Sequence, residues 1–359
     1  MNNNKIGYKI FDSNLKCRDK QYLPNETNTQ NGEISICKNG IHICKTPFDC
    51  LNYYGFIGDD LKLNRFAKVK GFGEIKEKED KIAVSNMDII EELTLGDFIN
   101  NGIEIIKENT NNIDNSAKIG SSGDCAKIGS SGYCAKIGSS GDSAKIGSSG
   151  DCAKIGSSGD CAKIGSSGDY AKIGSSGYCA QIGSSGDSAK IGSSGYSAQI
   201  GSSGDCAKIG SSGDCAKIGS SGEHAQIGSS GEHAQIGSSG YCAQIGSSGD
   251  YAQIGSSGEH AQIGSSGDSA QIGSSGDYAQ IGSSGDSAQI GSSGKNCVIC
   301  CAGDNCKVKA MIGSWITLAE WVDGMPVKVV TKKVDGIKIK ENTYYTLKNG
   351  RFKECPDET

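Results

Sequence analysis

The chain has 359 residues, 35% of them hydrophobic, with 54 glycines and a formal net charge of -5. So mild a negative charge excludes a broad basic surface for nucleic acid, and no apolar run is long enough to span a membrane. The opening residues MNNNKIGYKIF hold no apolar signal-peptide core, so the expected compartment is the cytoplasm.

Residues 1–111 are richer in aromatic residues and poorer in glycine than the rest of the chain, and they predict a small α+β domain. KIGYKIF reads as a strand. GEISICKNGIHIC reads as two short strands about the turn Lys38-Asn39-Gly40. Pro47 opens a predicted helix over PFDCLNYYG that Gly55 ends. RFAKVKGFGEI and KIAVSN read as strands. MDIIEELTLGDFI fits either a strand or a helix, and Leu93 with Leu95 favours the end of a strand.

From residue 112 a nonapeptide takes over, x-x-Ala-Lys/Gln-Ile-Gly-Ser-Ser-Gly. Its Ile recurs every nine residues from Ile119 to Ile290, through 20 units without a slip. Such periodicity marks a repeat architecture. Ala and Ile are two apart, so on a strand they share one face, and Lys/Gln takes the other. Gly-Ser-Ser-Gly then turns the chain. One strand and one turn cannot close a coil, whereas two units can. The fold class is therefore mainly β, a parallel β-solenoid of 18 residues per coil over residues 112–308. At about 4.8 Å per coil the 20 units would run roughly 48 Å.

The charge along the repeats is uneven. Units through Ile200 carry eight Lys and six Asp, and later units two Lys and nine acids. Drift on a solvated face accounts for this better than mimicry of DNA. Eight of the 17 cysteines stand at a repeat position that Ser, Tyr and His also fill. A disulfide framework would not exchange its cysteines so freely, which points to a reducing compartment.

Calcium-binding nonapeptides place Asp two residues after Gly. Here Asp follows Gly directly, and Tyr133, Tyr178, Tyr196 and Tyr241 replace it, although hard cations need oxygen ligands. No Thr occurs in the 20 units, which weakens an ice-binding face. His224, Cys242 and His260 fall in one column of the 18-residue coil and are weak metal candidates. Side chains of a parallel ladder project side by side, however, so an exposed permissive position is the better reading. Neither a nucleophile–base pair nor a phosphate loop is legible. No cofactor is expected.

After Ile290 the register persists without Gly-Ser-Ser-Gly. Cys297 and Cys306 take the Ala place, and Ile299 and Val308 the Ile place. Cys297, Cys300, Cys301 and Cys306 are again weak metal candidates, since C-x-x-C-C-x4-C lacks paired zinc knuckles. Buried free thiols are the favoured reading. Residues 309–359 predict a β-rich cap: WITLAEWV, VKVVTKKV and IKIKENTYYTL as strands, with hairpins at Asp323-Gly324 and Asp335-Gly336. Trp315 and Trp321 are placed to cover the open end of the solenoid.

Both ends carry a resemblance. GYKIFD, CKNGIHIC, LNYY, RFAKVKGFGEI, KIAVSN and EELTL, with GSWITLAEW far downstream, resemble uncharacterised domains of phage and prophage proteins. That resemblance implies no established activity. The Gly-Ile-His strand and the helix after it, ending at Tyr53-Tyr54, also resemble ADP-ribosyltransferase-like folds. This implies that His42 and Tyr53 or Tyr54 would touch a nicotinamide dinucleotide, with Glu74, Glu91 and Glu92 all open as the acid. The competing reading packs His42, Tyr53 and Tyr54 structurally. The function expected first is a structural or interaction protein, a solenoid spacing or presenting the N-terminal domain. An enzyme seated in that domain and an ice- or polysaccharide-binding solenoid face are the alternatives. A protein partner fits this architecture; nucleic acid and membrane do not.

Overall fold

The computed structural model describes residues 4–36, 38–58, 62–78, 80–108 and 118–356. The boundary expected at residue 111 lies outside the described residues. The chain divides into two compact units, 1–189 with 199–203, and 190–198 with 204–359. It is mainly β, with a parallel β-solenoid of about 11 turns, about 18 residues apart.

The first unit begins with strands β1 (Lys5–Phe11), β2 (Lys16–Cys17), β3 (Lys20–Gln21), β4 (Asn28–Thr29) and β5 (Ile41–Cys44). Helix α1 (Pro47–Cys50), β6 (Arg65–Lys78), β7 (Lys81–Leu93) and helix α2 (Leu95–Glu108) come next. The sheet order is β4-β7-β5-β1-β6, and β7 pairs with β6 as well, so the sheet closes into a small antiparallel barrel. Bulges at Lys68/Val69 and Phe72/Ile75 bend β6 enough to close it. Gly73 sits in the second bulge at φ +85, where a side chain would be strained. Phe11, Ile41, Ile43, Val69, Val84 and Met87 fill the barrel.

Three sequence expectations change here. The Asn39-Gly40 hairpin does not form: Ser35 and Asn39 make only an isolated bridge, and β5 pairs with β7 and β1. The Asn39 amide instead donates to the carbonyls of Asn31 and Glu33, so this turn residue organises a loop. The helix at Pro47 is a single turn, capped by the reciprocal Thr46–Asp49 bonds of a capping box. MDIIEELTLGDFI is strand and then helix. Thr94 divides them, its hydroxyl accepting the Asp97 N–H at 3.1 Å.

The repeats form the predicted coil. Ile119 pairs with Ile137 in one sheet, and Ile128 with Ile146 in the other. From Ala135 to Ala288 every repeat alanine is fully buried, and Ile128 to Ile290 are at most 4% exposed. The strand runs through Lys/Gln-Ile-Gly-Ser, so the first serine also points inward, and from Ser130 to Ser292 it is buried. Gly-Ser-Ser-Gly had read as turn throughout, but its first half is strand. From the third unit on, the last glycine turns tightly against the previous coil, as at Gly141, Gly150 and Gly159. A Cβ at Gly150 would overlap the Gly132 carbonyl oxygen.

The turns take two forms. In the first, the inward serine accepts the N–H of the glycine two residues on, as from Gly132 to Ser130 at 3.2 Å. The alanine then closes a turn, Ala135 N–H to Gly132 O at 3.3 Å. In the second, the residue before alanine has positive φ, as at Ser269, and its N–H donates to the next coil. The inward Ser265 Oγ then has no hydrogen-bond partner among the described residues. Where Asp precedes such a residue, its carboxylate accepts a backbone N–H one coil on, as from Asp286 to Asp268 at 2.8 Å.

In the second unit the last coils receive a cap. Trp315–Val322 adds in parallel to Val298–Cys301, and Met325–Lys333 folds back antiparallel through Asp323-Gly324. Tyr344–Lys348 and Arg351–Cys355 form a second hairpin through Asn349-Gly350 rather than Asp335-Gly336. Strand alternation turns Ile316 and Leu318 inward, with Tyr345 and Leu347 also buried, and these residues close the end. Trp315 consequently faces outward, 47% exposed, and does not cover the coil as the sequence suggested. Trp321 donates its indole N–H to the Ala302 carbonyl at 2.8 Å.

Candidate functional site

α2 lies across the solenoid strands Lys127–Ser130, Lys145–Ser148, Lys163–Ser166 and Gln181–Ser184, all in one sheet of the first unit. Its buried stripe is Leu95, Phe98, Ile99, Ile103 and Ile106. The outward glycine of each strand makes room for it. A Cβ at Gly165 would sit 2.5 Å from the Phe48 ring, and one at Gly183 2.8 Å from Ile99. On the other sheet, Gly138, Gly156 and Gly174 have nothing within 4 Å of such a Cβ. Polar contacts fix the register. The Lys145 ammonium pairs with Asp49, Lys163 donates to the Asn52 side chain, and Gln181 donates to the Leu51 carbonyl at 2.7 Å. Burial, then the Lys145 charge, pushes the Lys163 ammonium down to about 8.

The residues singled out for chemistry in the N-terminal domain part company. His42 is half-buried on β5. Burial lowers its imidazole below the ordinary range, and Lys9, Lys81 and Arg18 lower it further. Tyr53 and Tyr54 come after α1 in a turn, both donating N–H to the Cys50 carbonyl, and then diverge. Tyr53 is exposed, its hydroxyl donating to Asp80 Oδ2 at 2.7 Å and its ring under Lys81 Nζ at 4.8 Å. Tyr54 packs against the core of Phe48 and Leu51. Its hydroxyl lies 2.9 Å from Cys17 Sγ, and burial, then Cys17, pushes it up to about 12. Burial raises the Asp80 carboxyl, but hydrogen bonds from Tyr53 and Asn52 outweigh it and hold the group low.

The three glutamates left open as a catalytic acid lie on β6 and β7. Glu92 makes a bidentate pair with Arg65, with both contacts at 2.6 Å, and Glu74 lies 3.9 Å from Lys76. Glu91 lies opposite Lys68 in the β6–β7 ladder. Sequence reasoning missed Lys9, whose side chain is buried at 4% exposure. Its ammonium donates to the His42 carbonyl at 2.8 Å and lies over the Tyr22 and Phe11 rings at 5.1 and 5.7 Å. The available signal was a lysine on the inward side of an apolar strand.

On the solenoid, His224, Cys242 and His260 do share a column, since Gln226, Gln244 and Gln262 are in register. The column is broken at His260. Its φ of +54 turns its N–H to Asp277 of the next coil, while the Cys242 N–H donates back to Glu223. The His260 ring packs with Tyr241 and Tyr278, each 5.3 Å away between centroids. Cys297 is a buried free thiol and Cys300 an exposed one. Cys301 and Cys306, by contrast, are joined by a disulfide, not free as the sequence suggested, with Cα atoms 6.3 Å apart. The cause is the coil itself. Cys301 takes the inward serine place and Cys306 the inward alanine place five residues on, and these places are neighbours across the turn: Ser292 Oγ meets Cys297 Sγ at 3.3 Å. Among the described residues no group of three or more His, Cys, Asp or Glu is arranged to hold a metal ion. None of their helices is long and apolar enough to cross a membrane.

No curated protein and no solved structure matches the chain. Residues 5–101, which contain the barrel, His42, Tyr53 and Tyr54, match the family model of a domain of unknown function, DUF7666.

Proposed function

We propose that this is a structural and interaction protein. Its solenoid carries the N-terminal domain on one face and offers the rest of its surface to a protein partner. The observation that supports this reading most is the seating of α2 and Phe48 on the outward glycines of one sheet, fixed by Lys145 and Asp49. A spacer should tolerate a change in length made in whole coils. Deleting residues 208–225, one 18-residue coil, should leave cooperative unfolding and the exchange protection of α2 as they are in the intact chain. The same proteins, incubated with nicotinamide dinucleotide, should leave it intact. Turnover abolished by His42→Ala would overturn the structural reading in favour of an enzyme.

A further inference from the structure

We propose that the solenoid sheet left open in the first unit docks a second copy of this chain, the lysine row Lys118, Lys136, Lys154 and Lys172 of one copy meeting the aspartate row Asp250, Asp268, Asp286 and Asp304 of the other. This gives the interaction reading its partner and rests on that reading, which the nicotinamide dinucleotide assay tests separately.

The lysine row follows from the repeat. Lys118 pairs in register with Lys136, Lys136 with Lys154, and Lys154 with Lys172, so their side chains leave the same face one coil apart. All four are exposed, and no acid among the described residues pairs with them. Beside them Gly120, Gly138, Gly156 and Gly174 have nothing within 4 Å of where a Cβ would lie. Like charges directly opposite on neighbouring strands repel. At about 4.8 Å apart they stand inside the screening length of about 8 Å at physiological salt. The equivalent row on the other sheet has already met an acid, since Lys145 pairs with Asp49.

The aspartate row lies in the second unit. Gln253, Gln271, Gln289 and Lys307 are in register, and each aspartate stands three residues before one of them. One oxygen of each carboxylate is anchored by a backbone N–H one coil on: Asp268 to Asp250 at 2.8 Å, Asp286 to Asp268 at 2.8 Å, and Asp304 to Asp286 at 2.7 Å. The anchored side chains lose little freedom on docking. Asp250, Asp268 and Asp286 are exposed, and none pairs with a cation among the described residues.

The period selects the occupant. Four rows of this solenoid span about 14 Å, whereas four same-face residues of an extended peptide span about 20 Å and fall out of step after one or two charges. A second solenoid of the same rise matches every lysine with an acid, and this chain carries that acid row itself. Opposed rows also relieve the repulsion within each.

Sedimentation velocity of the intact chain at submillimolar concentration tests this. Association is expected at about 0.05 M salt and is lost at about 1 M, where the screening length falls to about 3 Å, below the row spacing. Lys118→Gln, Lys136→Gln, Lys154→Gln and Lys172→Gln together, in the residue type that fills this place in later units, should weaken association about tenfold or more. Asp250→Asn, Asp268→Asn and Asp286→Asn together keep an oxygen for each backbone N–H and should weaken it similarly. Cooperative unfolding should stay intact in both sets. Mixing the two should restore association, because each supplies the row the other lacks. A chain that stays monomeric at low salt, even one that takes up polyglutamate through these lysines, would overturn the proposal. So would association unmoved by salt, either set associating like the intact chain, or a mixture no better than its parts.

Discussion

Replacing one glycine on each sheet of the first unit separates a seated domain from a merely tethered one. Gly165 and Gly174 occupy equivalent places in successive units, and neither has positive φ. Alanine in place of glycine stabilises by about 0.4–1 kcal/mol through the unfolded chain where the backbone accepts it. Gly174→Ala should show that gain, since nothing lies within 4 Å of its Cβ. Gly165→Ala drives a methyl to 2.5 Å from the Phe48 ring. That ring cannot retreat, because a Cβ at Gly102 of α2 would already come within 2.9 Å of it. Overpacking of this kind costs about 1–3 kcal/mol. The two variants should therefore differ by about 2 kcal/mol, Gly165→Ala being the weaker. Paired urea unfolding measures the difference, and hydrogen exchange of α2 locates it. Equal midpoints with α2 equally protected would refute the seating.

Buried polar groups supply two more tests. Ser130→Ala leaves the Gly132 N–H without its acceptor and should cost about 1–3 kcal/mol, whereas Ser265→Ala removes a hydroxyl with no partner and should be neutral or stabilising; equal losses in urea unfolding would contradict the two turn forms. Lys163 titrates lower in the folded chain than its ordinary 10.5, so between about 8 and 10.5 the unfolded chain binds more protons. Stability should then climb with pH across that window, by at most about 3 kcal/mol. Below it the penalty is present in full. Lys163→Gln, the residue type of Gln181 one coil on, should flatten the rise, and an unchanged pH profile would show that the ammonium is not buried.

The solenoid was legible because Ala-x-Ile keeps a period of two within a period of nine, and only paired units can bury both residues. The inward serine was hidden by composition, since Gly-Ser-Ser-Gly looks like turn throughout. The Cys301–Cys306 disulfide could have been found by extending the register, which puts both thiols inside and across one turn. Thr94 with Asp97 marked the start of α2, yet Leu93 and Leu95 argued for a strand. At Asn39-Gly40 local chemistry misled, because β7 offered β5 a better partner than the residues just before the turn. The seating of α2 depends on residues tens of positions apart, and no local pattern announces it. Its one trace was the change from Lys163 to Gln181 in a single column, which aligns with Asn52 and the Leu51 carbonyl.

The seating of the N-terminal domain on one sheet of the first coils is tested most directly by zero-length carbodiimide cross-linking of the unmodified chain, read by mass spectrometry. The reagent joins an ion-paired carboxylate to an amine, and Asp49 pairs with Lys145. The account predicts one dominant bond from Asp49, to Lys145. Bonds spread over Lys118, Lys136, Lys154 and Lys172 of the opposite sheet, or no bond from Asp49 to any repeat lysine, would contradict it.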